Sequence, residues 1–246
     1  MNLSKSGIGY LDYVWNTTRG CTPVSEGCDH CYARAMHNRF DKPRTGIEFG
    51  NVQLLEDRID FTPPRKPSVI GAVFMGDLFH EQVPDEFLKK IYRKIGNTPQ
   101  HVFLLLTKRP RRMLDFFRDL KSLDPGGLFN NIWHGVTAEN RILLEERTKI
   151  IKNIPGKRWV SLEPMLEDML QPYGVLPPHL KHFDWIVCGP ETGPGRRPAR
   201  KEWFEDLEAS ARHQGVPFYD KGDAPGAFRQ YPIFRNGHGD IVEGKA

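Results

Sequence analysis

The chain has 246 residues, 35 of them Lys or Arg and 31 Asp or Glu, for a formal charge of +4 with neutral histidines. At 39% hydrophobic and 27% charged residues it reads as a folded globular chain, and its mild basic excess permits an anionic partner without demanding one. Its strongest apolar run, residues 69–76, is far too short to span a bilayer, and residues 1–7 lack an apolar secretory core, so a cytoplasmic location is expected.

Taken in chain order, a short β-branched and aromatic run predicts a first strand at residues 13–16, followed by a helix at 32–40. A second strand is expected at 69–75, then a helix at 85–94, where Phe87, Leu88, Ile91 and Tyr92 fall at helical spacing behind two acids. Strands at 101–106, 132–136, 158–162, 185–188 and 216–219 follow, with helices at 111–120, 139–151 and 202–211 between them. Trp133, Trp159 and Trp185 fall on these strands and read as core aromatics.

Strand followed by helix, repeated, predicts parallel βα units. The fold class is α/β: a full or partial (β/α) barrel of about six to seven parallel strands over residues 1–221. Three stretches rich in Pro and Gly interrupt the alternation: an insertion around 41–68, a segment at 171–182 containing Pro172, Pro177 and Pro178, and a tail at 222–246 with Pro225 and Pro232. They are expected to be loops, lids or edge decorations.

Only four cysteines are present, and Cys21, Cys28 and Cys31 form a C-x6-C-x2-C cluster just after the first predicted strand. In a parallel barrel that is the catalytic mouth. A chain of this length does not need disulfides, so metal or redox chemistry is the reading. Three thiolates suit a [4Fe–4S] cluster with one open iron. Structural zinc, with His30 or His37 as fourth ligand, is the alternative, and unrelated cysteines a third. Cys188 lies inside a predicted strand and reads as a core residue.

From Trp15 to Ala33 the chain carries Trp-Asn, Gly-Cys, Ser-x-Gly-Cys-x-x-Cys-Tyr-Ala in order. Further blocks follow at successive strand ends: Gly76-Asp77-Leu78-Phe79-His80, Leu106-Thr107-Lys108-Arg109-Pro110, Gly135-Val136-Thr137-Ala138-Glu139-Asn140, Ser161-Leu162-Glu163-Pro164 and Gly189-Pro190-Glu191-Thr192-Gly193-Pro194-Gly195, with Val216 to Lys221 as a closing strand. In these blocks the chain resembles the radical S-adenosylmethionine (SAM) superfamily, and within it a phage- and prophage-associated branch of unassigned function. It departs from the superfamily in its wider first cysteine spacing and in His30, which stands where an aromatic residue is usual.

The resemblance implies a radical SAM enzyme with the [4Fe–4S] cluster on Cys21, Cys28 and Cys31 and SAM on the open iron. It implies an electron donor, either a flavodoxin- or ferredoxin-like protein or a chemical reductant, and no membrane partner. It places Gly76 and Asp77 at the SAM ammonium and Thr137, Glu139 and Asn140 at the ribose and methionine, while Gly189, Gly193 and Gly195 allow close backbone approach to the adenine and Glu191 is a candidate contact to the cofactor. Thr137 or Asn140 would otherwise cap the following helix, and Glu191 would otherwise buttress its glycine turn. Glu163 and Lys108 are the expected catalytic groups. Lys108-Arg109 and Arg196-Arg197 suit phosphate or carboxylate, although Arg109 would also serve to bridge a barrel acid. The substrate class suggested is a nucleotide or DNA base. A zinc-stabilised nucleic-acid-binding protein without catalysis is the alternative.

Overall fold

The computed structural model describes residues 2–120, 130–171, 174, 178–193, 195–222 and 227–243. Pro172, Pro177 and Pro225 of the expected loops, and Pro194 of the block after the sixth strand, lie outside the described residues. Seven strands run parallel in one sheet, in sequence order: β1 (Tyr13–Trp15), β2 (Val69–Ala72), β3 (Val102–Thr107), β4 (Ile132–Thr137), β5 (Lys157–Leu162), β6 (Trp185–Cys188) and β7 (Phe218–Asp220). Helices α1 (Tyr32–Met36), α2 (Asp85–Gly96), α3 (Pro110–Leu120), α4 (Arg141–Ile151) and α5 (Lys201–His213) accompany them. β1 and β7 lie at opposite ends of the strand order, so the barrel is partial.

Successive strand residues point to opposite faces, and here each face has its own core. Ile70, Phe103, Val136, Val160, Ile186 and Phe218 pack with the helices, while Val69, Leu104, Trp133, Trp159, Trp185 and Tyr219 fill the concave side. Cover on both faces explains the nearly continuous apolar runs of the strands. Tyr10 stands edge-on to Trp159, Trp185 and Tyr219 at 6.0, 5.2 and 5.4 Å between ring centroids, and so seals the interior between the first and last strands.

Gly135 makes this aromatic filling possible. A Cβ there would run into the Trp159 indole and come within 2.8 Å of the Leu105 carbonyl, to which Trp159 Nε1 donates at 3.0 Å. Gly135→Ala is therefore expected to destabilise the fold by about 1–3 kcal/mol through overpacking, read as a lowered urea midpoint. An unchanged midpoint would show that the tryptophan layer has slack.

Both sheet edges are covered. The two-residue strand Ser4–Lys5 pairs antiparallel with β1, and residues 228–230 run back along β7, with Asp220 N donating to Phe228 O and Gln230 N to Phe218 O. Beyond them the strands Phe234–Arg235 and Ile241–Val242 form an antiparallel pair. Phe234 presses on Trp133 and Trp185 at 5.2 and 5.6 Å, at the end where the strands begin. The described part of the tail thus covers the end of the barrel away from the cysteines.

Three boundaries differ from expectation, each for a local reason. β2 stops at Ala72 because Val73 takes a left-handed φ of 59°, and Asn16 Oδ1 then accepts from Phe74 N and Met75 N. α4 starts at Arg141 because Asn140 caps it, accepting from Leu143 N at 2.9 Å. Glu139 is thereby left out of the helix. α1 continues through a π-helical turn, His37–Asp41, into a short helix, Lys42–Thr45, that takes Pro43 in its first turn. Within the 41–68 insertion, Gln53–Leu54 pairs antiparallel with Thr18–Arg19.

Candidate functional site: the cysteine loop at the barrel mouth

Cys21, Cys28 and Cys31 lie between the short strand Thr18–Arg19 and α1, at the end of the barrel where the strands finish. All three are free thiols and half-buried, whereas Cys188 is fully buried. Among the described residues, no three of His, Cys, Asp and Glu gather into a group able to hold a single metal ion. The donor chemistry, three thiols free of disulfides on one loop, suits a larger thiolate-bound cluster. Burial and Asp77 push the Cys21 thiol up to about 11, with Arg109 opposing them.

Three polar clamps hold the loop, each built from a strand end. Arg109, directly after β3, makes the first. Its Nη1 donates to Cys21 Sγ at 3.3 Å, its Nη2 to Thr22 O and Oγ1 at 3.0 and 2.8 Å, and its Nε to both Glu81 oxygens at 3.0 Å. Asp77 stands behind it, buried, and accepts from Phe79 N, Thr107 Oγ1, Lys108 N and Arg109 Nη1. All of its oxygen capacity goes to joining the ends of β2 and β3. His80 adds a bond from the far side. Its Nδ1 accepts from Gln82 N, so Nε2 carries the proton and donates to Thr22 Oγ1 at 2.9 Å. Gly76 fits against Gly20, where a Cβ would come 2.7 Å from the Gly20 carbonyl.

Glu139, just past β4, makes the second clamp. It is wholly buried, with Oε1 accepting from Ser25 Oγ of the loop and from Lys108 Nζ at 2.5 Å, and Oε2 from Arg147 Nη1 at 2.8 Å. Burial alone would raise its pKa, but Lys108 and Arg147 outweigh it and hold the carboxyl below the ordinary range. Arg147 Nη1 also donates to Thr137 O and Oγ1. Asn140, besides capping α4, donates through Nδ2 to Glu26. Gly27 lies so close to this pair that a Cβ would meet Lys108 Nζ at 2.8 Å. The Ser25-x-Gly27 spacing places a hydroxyl on the acid and leaves room beside it.

Glu191, past β6, makes the third. It accepts from Arg197 N, Nε and Nη2 and from His30 Nδ1 at 2.9 Å, while Arg197 Nη2 reaches Glu26 O at 2.9 Å. The Arg197 hydrogen bonds bring Glu191 down to about 2. A carboxyl with a depressed folded pKa adds stability that is present above its unfolded value near 4.5 and lost as pH falls toward about 2. The stability difference between wild type and Glu191→Gln should therefore shrink across that window in urea titrations. A difference independent of pH there would remove the ionic account of this clamp.

Across the mouth, Glu163 follows β5. Its Oε2 accepts from Ser161 Oγ at 2.7 Å and its Oε1 pairs with Lys221 Nζ at 2.7 Å. Gly189 leaves the space for this side chain, since a Cβ there would stand 2.7 Å from Glu163 Oε1. Burial would lower the Lys221 pKa, but Glu163 prevails and keeps the ammonium charged.

A family model described as a protein of unknown function (DUF5131) matches residues 5–240. The chain belongs to this family. No curated protein matches it. Among solved structures its fold is similar to spore photoproduct lyase. One such structure, complexed with dinucleoside spore photoproduct, has a TM-score of 0.56 at 13% identity over 94% of this chain and 79% of that one. Another, a mutant with bound AdoMet and dinucleoside spore photoproduct, has a TM-score of 0.58 at 13% identity with the same coverage.

Within this DUF5131 chain, the structure thus brings Lys108, Thr137, Glu139, Asn140, Glu163, Gly189 and Glu191 to the strand ends around the cysteine loop, with Gly76 and Asp77 one layer behind. Sequence reasoning missed Arg147, Thr22, Ser25, Glu81 and Lys221 as parts of it. Ser25 and Lys221 stand inside recognisable blocks. Arg147 sits in mid-helix among Glu145, Glu146 and Lys149, where its pattern is that of a solvated face.

Proposed function

We propose that this chain is a radical SAM enzyme whose Cys21, Cys28 and Cys31 hold a [4Fe–4S] cluster. The observation that carries this reading is a loop of three free thiols at the mouth of a parallel partial barrel, tied down by the ends of β2, β3, β4 and β6. Likeness of fold to a lyase that holds AdoMet supports it. Bound there, the cluster would supply the electron that cleaves SAM to methionine and a 5′-deoxyadenosyl radical.

The chain's own part is to hold and shield. Asp77, Glu139 and Glu191 spend their lone pairs on the clamps, so they act on the cofactors through the loop. Lys108, partly exposed beside Glu139, offers its ammonium to the SAM carboxylate. Glu163 and Lys221, facing the mouth from the ends of β5 and β7, are placed to bind substrate, with the Lys221 ammonium holding its protons against Glu163 Oε1. The Trp and Tyr layer below them closes the interior to water from the far end, which a reactive carbon radical requires. The substrate class is a nucleotide or nucleic-acid base, in keeping with the dinucleoside bound by the lyase of similar fold.

Anaerobic reconstitution tests the reading. Brown protein with about four irons per chain, yielding 5′-deoxyadenosine after dithionite reduction, is the expected result. Colourless protein carrying about one zinc would replace it with the non-catalytic alternative.

A further inference from the structure

The helix that leaves the third cysteine has one unusual face. Tyr32, Met36 and Phe40 recur every fourth residue and are 49%, 45% and 50% exposed. Residues four apart on a helix share a face, so the three form an apolar stripe that starts at the mouth, where the Tyr32 hydroxyl donates to Phe74 O, and runs outward through Met36 to Phe40. The helix cannot roll to bury it, because the adjacent face, Ala33, His37 and Asp41, is already buried. His37 Nε2 donates to Ile47 O at 2.9 Å and its ring lies 5.4 Å from Phe49, while Asp41 pairs with Arg19 at 3.0 Å. The stripe passes through the π-helical turn His37–Asp41, a distortion that natural helices keep mainly at functional sites.

Its surroundings are basic. Residues 32–45 hold Arg34, Arg39, Lys42 and Arg44 against the single acid Asp41, but Arg34 donates to the Cys28 and Asp29 carbonyls, Lys42 pairs with Glu48 at 2.7 Å and Arg44 with Asp41 at 2.9 Å. The Arg39 guanidinium lies over the Phe40 ring at 5.0 Å, and among the described residues no carboxylate pairs with it. We propose that this stripe is the docking surface for a single-stranded nucleic acid, whose bases stack on Tyr32, Met36 and Phe40 and whose phosphates meet Arg39. Aromatic platforms beside an unpaired cation are what a single strand needs and what a paired helix, with its base faces hidden, has no use for. A second copy of the chain suits the face poorly, since a two-fold contact would set this basic stretch against itself. The inference deepens the proposed function by giving its substrate a path into the mouth, and it rests on that reading only for what happens to the strand afterwards.

The test is fluorescence anisotropy of labelled twelve-nucleotide DNA and RNA strands with the full chain, before and after cluster loading. Phe40→Ala should weaken binding about five- to hundredfold, and Arg39→Gln should lower the salt dependence by about one phosphate contact. Ile241→Ala, at the far end of the barrel, should bind as wild type does. Both binding variants alter exposed side chains, and an unchanged thermal midpoint confirms that they fold. The comparison of DNA with RNA identifies which strand is taken. Absent binding, or equal binding by Phe40→Ala, overturns the proposal, as does a dimer dissolved by Phe40→Ala in place of lost oligonucleotide affinity. Iron loading is measured separately. A chain that loads iron but ignores oligonucleotides refutes only the docking surface, and one that binds them without iron refutes only the radical chemistry.

Discussion

Alanine at Cys21, Cys28 or Cys31 is expected to abolish iron loading, from about four irons per chain to almost none, whereas Cys188→Ala should load as wild type does. The contrast follows from where the sulfurs stand. The first three are half-buried on one loop at the open end of the barrel, and each would be one of only three protein ligands. Removing any one leaves two, too few to retain a cluster through purification. Cys188 is fully buried. It is packed in the core on the helix side of β6 with Leu162, Ile186 and Leu207, off the loop that carries the other three sulfurs, and burial drives its thiol pKa upward. Iron quantitation with electronic absorption on reconstituted protein reads both halves of the prediction. A loop variant that keeps its iron, or a Cys188 variant that loses it, would remove the assignment.

The strands were legible because each is covered on both faces. Runs such as Val102 to Thr107 admit few readings, and their even recurrence with amphipathic helices between them leaves a parallel α/β sheet as the natural arrangement. The position of the cysteine loop was legible for the same reason, since a loop that leaves β1 must emerge at the mouth. The facing of the strand-end acids was not legible. Asp77, Glu139 and Glu191 look alike in sequence, each a carboxylate after an apolar run. Whether such a group waits for a ligand or is already saturated depends on cations brought from elsewhere: Arg109 for Asp77, Arg147 from within α4 for Glu139, Arg197 for Glu191. Arg147 is the clearest case, because nothing in its neighbours announces that the helix turns it inward, where it is 5% exposed. The sealed end was hidden too. The Gly-rich tail has the composition of a loop, yet Phe234 and Val242 carry it onto the tryptophan layer.

Glu139→Gln should be the most damaging single change outside the cysteines, lowering stability by about 3–5 kcal/mol. The glutamate is wholly buried between Lys108 and Arg147, and Ser25 adds a third donor. The amide keeps the shape but removes the charge, which leaves the buried Arg147 and the partly exposed Lys108 facing each other without a carboxylate between them. One of them, Arg147, is itself almost fully buried and has only Thr137 left as a partner. For a chain of this size the loss corresponds to a fall in thermal midpoint of about 6–20 °C. A shift equivalent to less than about 1 kcal/mol would mean that the triad is solvated and that the clamp is weaker than its geometry suggests. The same change separates holding from folding. Ser25 belongs to the cysteine loop, so the variant should load less iron even at temperatures where its circular dichroism is native. Arg147→Met gives the complementary reading. It leaves Glu139 bonded to Lys108 and Ser25, so iron loading should survive better than in Glu139→Gln. If the two variants lose iron equally while both remain folded, the loop is held by the stability of the whole barrel mouth and not by the Ser25–Glu139 contact.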